Sequence, residues 1–204
     1  GIPAAGANML TPIATGVVTS IVATYGSVAV AAWGVGGRLE SIASIVVLSL
    51  SMSLPPFISQ NLGANKLERV QEAFVLCIKF VIVWQLFIYV LVALGAEYIA
   101  TIFTDDPQVA SIILLFLLIM PLGYGLQGVI ILTNSSFNAM HLPLSALALS
   151  IIRLFVVFVP FAYIGSHFYG LNGVFVAAVL ANFLVAIIAF IWFRKALHKQ
   201  VTLV

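Results

Sequence analysis

The chain has 204 residues, of which 63% are hydrophobic and only 7% charged, with a formal net charge of +2. A soluble domain carries about 25% charged residues, so this composition cannot cover a water-facing surface and predicts lipid as the solvent. The small net charge, with no Lys or Arg clustered among aromatics, argues against nucleic acid as a partner. Cys77, the one cysteine, rules out an intrachain disulfide and reads as inert packing.

A helix that crosses a bilayer needs about 20 mostly apolar residues. Six stretches meet that length: 2–24, 30–59, 72–96, 108–133, 142–164 and 171–193. The alternating ten-residue pattern of a membrane barrel is missing. The expected fold is therefore all-α and integral to the membrane, with six transmembrane helices, sequential ones antiparallel. No basic leader precedes the opening GIPAAG, which already lies inside an apolar stretch, so the chain reads as a fragment of a longer membrane protein.

The first span is rich in small residues that allow close helix approach. Asn8, Thr11, Thr15 and Thr19 fall on one helical face. Pro12 can bend the helix and free a carbonyl. A polar stripe on a bendable helix suits the wall of a watery cavity, although each Thr hydroxyl can also bond back to its own helix.

The second stretch exceeds one straight span: its roughly 30 residues would reach about 45 Å against a hydrocarbon core of about 30 Å. Gly34, Gly36 and Gly37 predict a break after an interfacial piece holding Trp33, with the true span starting near Arg38. Arg38 and Glu40 point to different faces and need separate partners. A charge held in lipid is costly and marks a functional candidate, against interfacial snorkelling for Arg38 and a static ion pair for Glu40. Pro55-Pro56 should kink the inner end.

The third span, with Gln85 as its mid-span amide, reads as scaffold or lipid-facing. In the fourth, Pro121 and three glycines allow bending, while Met120, Tyr124 and Gln127 share a side suited to flat lipophilic cations, or simply to core packing. The fifth holds Arg153 near mid-membrane, where it should face the bundle and find an acceptor. The sixth holds Asn182, read as interhelical glue. His141, His167 and His198 show no metal-ligand spacing, and no hydrolase, metalloprotease or nucleotide-binding motif occurs. Neither a cofactor nor a metal site is expected.

Loop charges set the topology. Lys66, Arg69, Arg194, Lys195 and Lys199 lie on one side, with Lys79 able to reach it. Glu97, Asp105 and Asp106 lie on the other. This puts the C-terminus in the cytoplasm, in a multi-pass protein of the plasma (bacterial inner) membrane.

The pieces AAWGVGGRLES, LPPFISQNLGANKLERVQEAF and SSFNAMHLP resemble the second half of a multidrug and toxic compound extrusion (MATE) transporter, over the whole 204 residues. The resemblance implies one lobe, helices seven to twelve, of a two-lobe, twelve-helix protein. It implies antiport of lipophilic, often cationic drugs against H⁺ or Na⁺, with the N-terminal lobe and membrane lipid as partners. Some relatives carry cation-binding carboxylates where Thr11 and Gln127 stand. Their absence points to the DNA-damage-inducible branch, whose coupling ion binds mainly in the N-terminal lobe, and leaves Glu40 as the local candidate. Bending would occur at Pro12, Pro121 and nearby glycines. A lipid-linked saccharide flippase, using Arg38 and Arg153 for phosphate, is the alternative. An intramembrane enzyme, against which the isolated Glu40 argues, and a self-assembling six-helix module, which size analysis in detergent would discriminate, are further readings.

Overall fold

The computed structural model describes residues 2–201, with the side chains of 9–199. The elements are α1 (Ile2–Ala23), α2 (Ser27–Ala43), α3 (Ile45–Gly63), α4 (Leu67–Phe103), α5 (Pro107–Ile119), a 3₁₀ turn (Met120–Gly123), α6 (Tyr124–Ala139), α7 (Pro143–Ile151), a π-helical stretch (Ile152–Phe158) and α8 (Val159–Val201). Gly170, at φ 61 and ψ −144, breaks α8 in two. These elements join into the six expected rods, and the described residues contain no strand.

Two expectations for the second rod fail. There is no break at Gly34, Gly36 and Gly37, because α2 runs through all three. Gly36 serves close packing instead: a Cβ there would meet the Phe116 ring at 2.5 Å. The joint falls at Ser44, and the ladder carries across it through Ser44 N–H to Glu40 O and Leu48 N–H to Ser44 O, both 2.9 Å. At this joint the Ala43 carbonyl accepts a hydrogen bond from Gln85 Nε2 at 2.9 Å. Pro55-Pro56 likewise does not interrupt α3. Leu54 and Ile58, both buried, seat that turn in the core with Val70 and Phe74. The rod from Ser27 to Gly63 therefore reaches about 55 Å at about 1.5 Å per residue, and its ends extend beyond the hydrocarbon.

The polar connection expected over Asn61–Gln71 is a tight turn at Ala64–Lys66, with Asn65 at φ 56. Leu67–Phe103 is likewise longer than the expected span. Its outer face carries Leu76, Phe80, Val83, Phe87, Leu91, Leu94 and Tyr98, all exposed. That three-and-four spacing is one helical stripe, apolar on the outside where a soluble helix would be polar.

Aromatic stacks tie the rods together. Phe74 on α4 stacks on Phe193 near the chain end, with ring centroids 3.6 Å apart. Phe116 meets Trp33 and Phe175 edge-on, at 5.7 and 5.4 Å. α3 and α8 both pack on α6, which makes the fourth rod the central one. At the far end of the fifth and sixth rods, Tyr25 hydrogen-bonds the carbonyl of Ser166 at 2.9 Å, closing the first turn onto the Gly170 hairpin.

Candidate functional site

Lipid excludes polar groups, so the few that lie at membrane depth turn inward wherever the helices leave room. They meet in a cavity of about 170 Å³ bounded by five rods. Thr11 and Thr15 enter from α1, Glu40 from α2, Met120 from the 3₁₀ turn, Gln127 from α6, Arg153 from the π-helical stretch and Asn182 from α8. Trp33, Phe116 and Phe158 supply aromatic wall.

Gln127 Nε2 donates to Glu40 Oε1 at 2.9 Å, linking the second and fourth rods. A hydrogen bond to an ionised carboxylate is shorter and stronger than a neutral one. Arg153 lines the same cavity as Glu40. Two opposite charges and an amide thus share one small space, which is the arrangement that makes an intramembrane charge tolerable.

The irregular turns explain how these side chains arrive together. Pro121 sits inside the 3₁₀ turn that joins α5 to α6, so its missing N–H falls where the α-ladder is already interrupted. The π-helical stretch holds Arg153, Leu154 and Phe158, all on the cavity wall. Such wide turns occur often at functional sites. Pro12 lies within α1, next to Thr11.

Not every expected residue reaches the cavity. Arg38 is exposed and does not line it, so the paired-arginine phosphate site needed by a flippase is not assembled here. Tyr124 turns away into a neighbouring pocket with Leu39, Ala43, Trp84 and Pro121, because the 3₁₀ turn alters the register that would align it with Met120 and Gln127. Asn134 donates to Ser150 Oγ at 3.2 Å and tethers α6 to α7. Pro55 lies in the continuous α3, away from the cavity. The side chain of Asn8 falls outside the described residues. Asn182, expected to be interhelical glue, is a wall residue.

No grouping of three His, Cys, Asp or Glu able to hold a metal occurs among the described residues. A larger hollow of about 460 Å³ between Phe161 and Leu180 is lined by apolar side chains and Asn172 and holds no charge. Of these two hollows the smaller one carries the charges; a third, of about 660 Å³, lies along the start of α4 among Glu68, Gln71, Glu72 and Lys79.

Comparison with known proteins fits this geometry. A family model described as MatE matches residues 3–164. The crystal structure of the Vibrio cholerae MATE transporter VcmN in its bent form superposes with a TM-score of 0.95 at 34% identity, over 97% of this chain and 45% of that one. A protein of Shewanella oneidensis named FAD transporter is 40% identical over 91% of this chain and 41% of its own length. The multidrug export protein MepA of Staphylococcus haemolyticus is 25% identical over 93% of this chain and 41% of its own length. The chain thus spans less than half the length of these relatives. Its all-helical fold is that of one MATE-type half, and the chain belongs to the MATE family.

Proposed function

We propose that this chain forms one lobe of a cation-coupled antiporter and that the Glu40 cavity is its share of the passage. The observation that supports this most is the meeting of Glu40, the only acid deep within a span among the described residues, with Gln127, Arg153 and two threonines in one hollow. Antiport requires that cargo and coupling ion compete for one group, so that the arrival of one releases the other. An ionised Glu40 attracts an organic cation; on taking up H⁺ or Na⁺ it loses that attraction while Arg153 remains positive. The aromatic wall suits lipophilic cations. Alternating access would use the bendable points that border the cavity, Pro12 and the Met120–Gly123 turn, against the other lobe. The N-terminal lobe would carry most of the ion binding, and the basic loops would lie in the cytoplasm.

The Shewanella relative's name supports a second cargo, an anionic dinucleotide such as FAD, with Arg153 facing its phosphates. Vesicle transport of ethidium and of FAD, with the Glu40→Gln and Arg153→Gln variants, separates the two. Under the cationic-drug reading Glu40→Gln abolishes ethidium export. Under the dinucleotide reading Arg153→Gln abolishes FAD export. If neither compound moved in the parent, or both moved equally in both variants, the assignment of this cavity would fail.

A further inference from the structure

The hollow of about 660 Å³ at the start of α4 is lined by Glu68, Gln71, Glu72, Val75, Leu76 and Lys79. All six belong to α4, so it opens away from the bundle. Glu68, Glu72, Val75 and Lys79 recur at helical spacing and share one face. Glu68, Glu72 and Lys79 are exposed, and no hydrogen bond or ion pair ties their side chains to another described residue. Lys66 and Arg69, also exposed, stand outside the hollow.

The order of charge along this face decides what it fits. Glu68 and Glu72 fall within the first two turns after the polar Ala64–Lys66 turn. Leu76, exposed, begins the apolar stripe of α4. Lys79 lies beyond it, about 10 Å deeper than Glu72 at about 1.5 Å per residue. Its side chain leans toward the start of the helix and so reaches back to the interface. From water inward the face is thus twice negative, then positive at the edge of the hydrocarbon. A phospholipid that ends in a primary amine has the complementary order: ammonium outermost, phosphodiester next, acyl chains innermost. We infer that this face binds the headgroup of such a zwitterionic lipid, phosphatidylethanolamine in type. The ammonium donates to Glu68 and Glu72, Lys79 and the Gln71 amide hold the phosphate, and the chains lie along the exposed Leu76 and Val83. A primary ammonium offers three N–H donors, whereas a choline head has none. An anionic lipid brings no cation to face the two carboxylates, and a metal ion on those carboxylates would leave Lys79 unused. The depth order is the same in either leaflet. The inference concerns binding alone and stands whether or not the transport reading holds.

Native mass spectrometry of the intact protein in a non-ionic detergent reads lipid affinity and oligomeric state together. The probes are the dioleoyl forms of phosphatidylethanolamine, phosphatidylcholine and phosphatidylglycerol. Wild type should hold the ethanolamine lipid about three- to tenfold tighter than the choline lipid. Glu68→Gln combined with Glu72→Gln should bring the ethanolamine lipid down to the level of the choline lipid. Lys79→Gln should weaken both about two- to fivefold and keep the preference between them. Glu97→Gln, at an exposed acid near the other end of α4, should change neither. Equal affinity for the two lipids in wild type would overturn the inference. So would a preference that survives the paired acid substitution, unchanged affinities in Lys79→Gln, or tightest binding of the glycerol lipid. A dimer that these same substitutions dissolve would overturn it too, by making the face a contact between copies.

Discussion

Beside the Gly170 hairpin Gly165 and Gly173 face each other, each with the other's backbone where its side chain would go, and Gly173→Ala tests that packing. A Cβ on Gly173 would run into the Gly165 carbonyl carbon and oxygen and would lie 2.9 Å from Tyr169 Cβ. The obstacle is backbone, which cannot rotate aside, so the two rods must separate. Overpacking of this kind costs about 1–3 kcal/mol, against which a gain of about 0.5–1 kcal/mol from replacing a helical glycine is small. Gly34→Ala is the control, because a Cβ there meets nothing within 4 Å, and it should gain only the helix term. At about 2–4 °C per kcal/mol for a chain of this size, the net loss should lower the apparent Tm of Gly173→Ala by up to about 10 °C while Gly34→Ala raises it slightly. Fluorescence-detected size exclusion after stepwise heating in detergent reads both. If Gly173→Ala were as stable as Gly34→Ala, the hairpin packing described above would be wrong.

The other expectations are smaller or more local. Gly170→Ala places a side chain at φ 61, ψ −144, a region close to glycine-only, and should cost about 1–3 kcal/mol by the same heating assay. Asp106→Ala removes the carboxylate that accepts from Gln108 N–H at 2.8 Å at the start of α5, for about 0.5–2 kcal/mol, and Asp106→Asn should recover most of it. Glu40→Gln keeps an acceptor for Gln127 but strips Arg153 of its opposing charge. It should therefore destabilise, and Glu40→Gln with Arg153→Gln should lose less than the two single variants summed, by about 1 kcal/mol. Strict additivity across those four proteins would show that the two charges do not interact.

The architecture was readable because lipid imposes a coarse rule, that long apolar runs become rods, and the lone charges then announce themselves. Glu40, Gln127, Arg153, Thr11 and Met120 were all named from sequence, and all line one hollow. Failures came where glycine and proline have more than one use. Gly36 looked like a helix break but makes room for Phe116. Pro55-Pro56 looked like a kink, yet buried neighbours hold the turn helical. The true irregularities were hidden. No residue type in Ile152–Phe158 signals a π-helix, and the Ser44 joint coincides with a carbonyl taken up by Gln85 from another rod. A contact to a distant helix cannot be read from local propensity. Tyr124 was misplaced for the same reason, since uniform helical spacing ignores the 3₁₀ turn just before it.

These irregularities and the cavity occupy the same level of the bundle, and that coincidence carries a consequence. Arg153 stands on the π-helical stretch, Gln127 lies four residues past the end of the 3₁₀ turn, Glu40 precedes the Ser44 joint by four residues, and Thr11 adjoins Pro12. Arg153 thus stands on a change of helix type, Gln127 just after one, and Thr11 beside a proline that donates no N–H, whereas the ladder runs on from Glu40 through Ser44. The Gln127–Glu40 hydrogen bond links the rod that carries the 3₁₀ turn to the rod that carries the Ser44 joint. Under the proposed antiport, neutralisation of the carboxylate or arrival of a competing cation would weaken that link, and so would act on both rods at once. In the regular α4 the same residues could bind but would have no bend to drive.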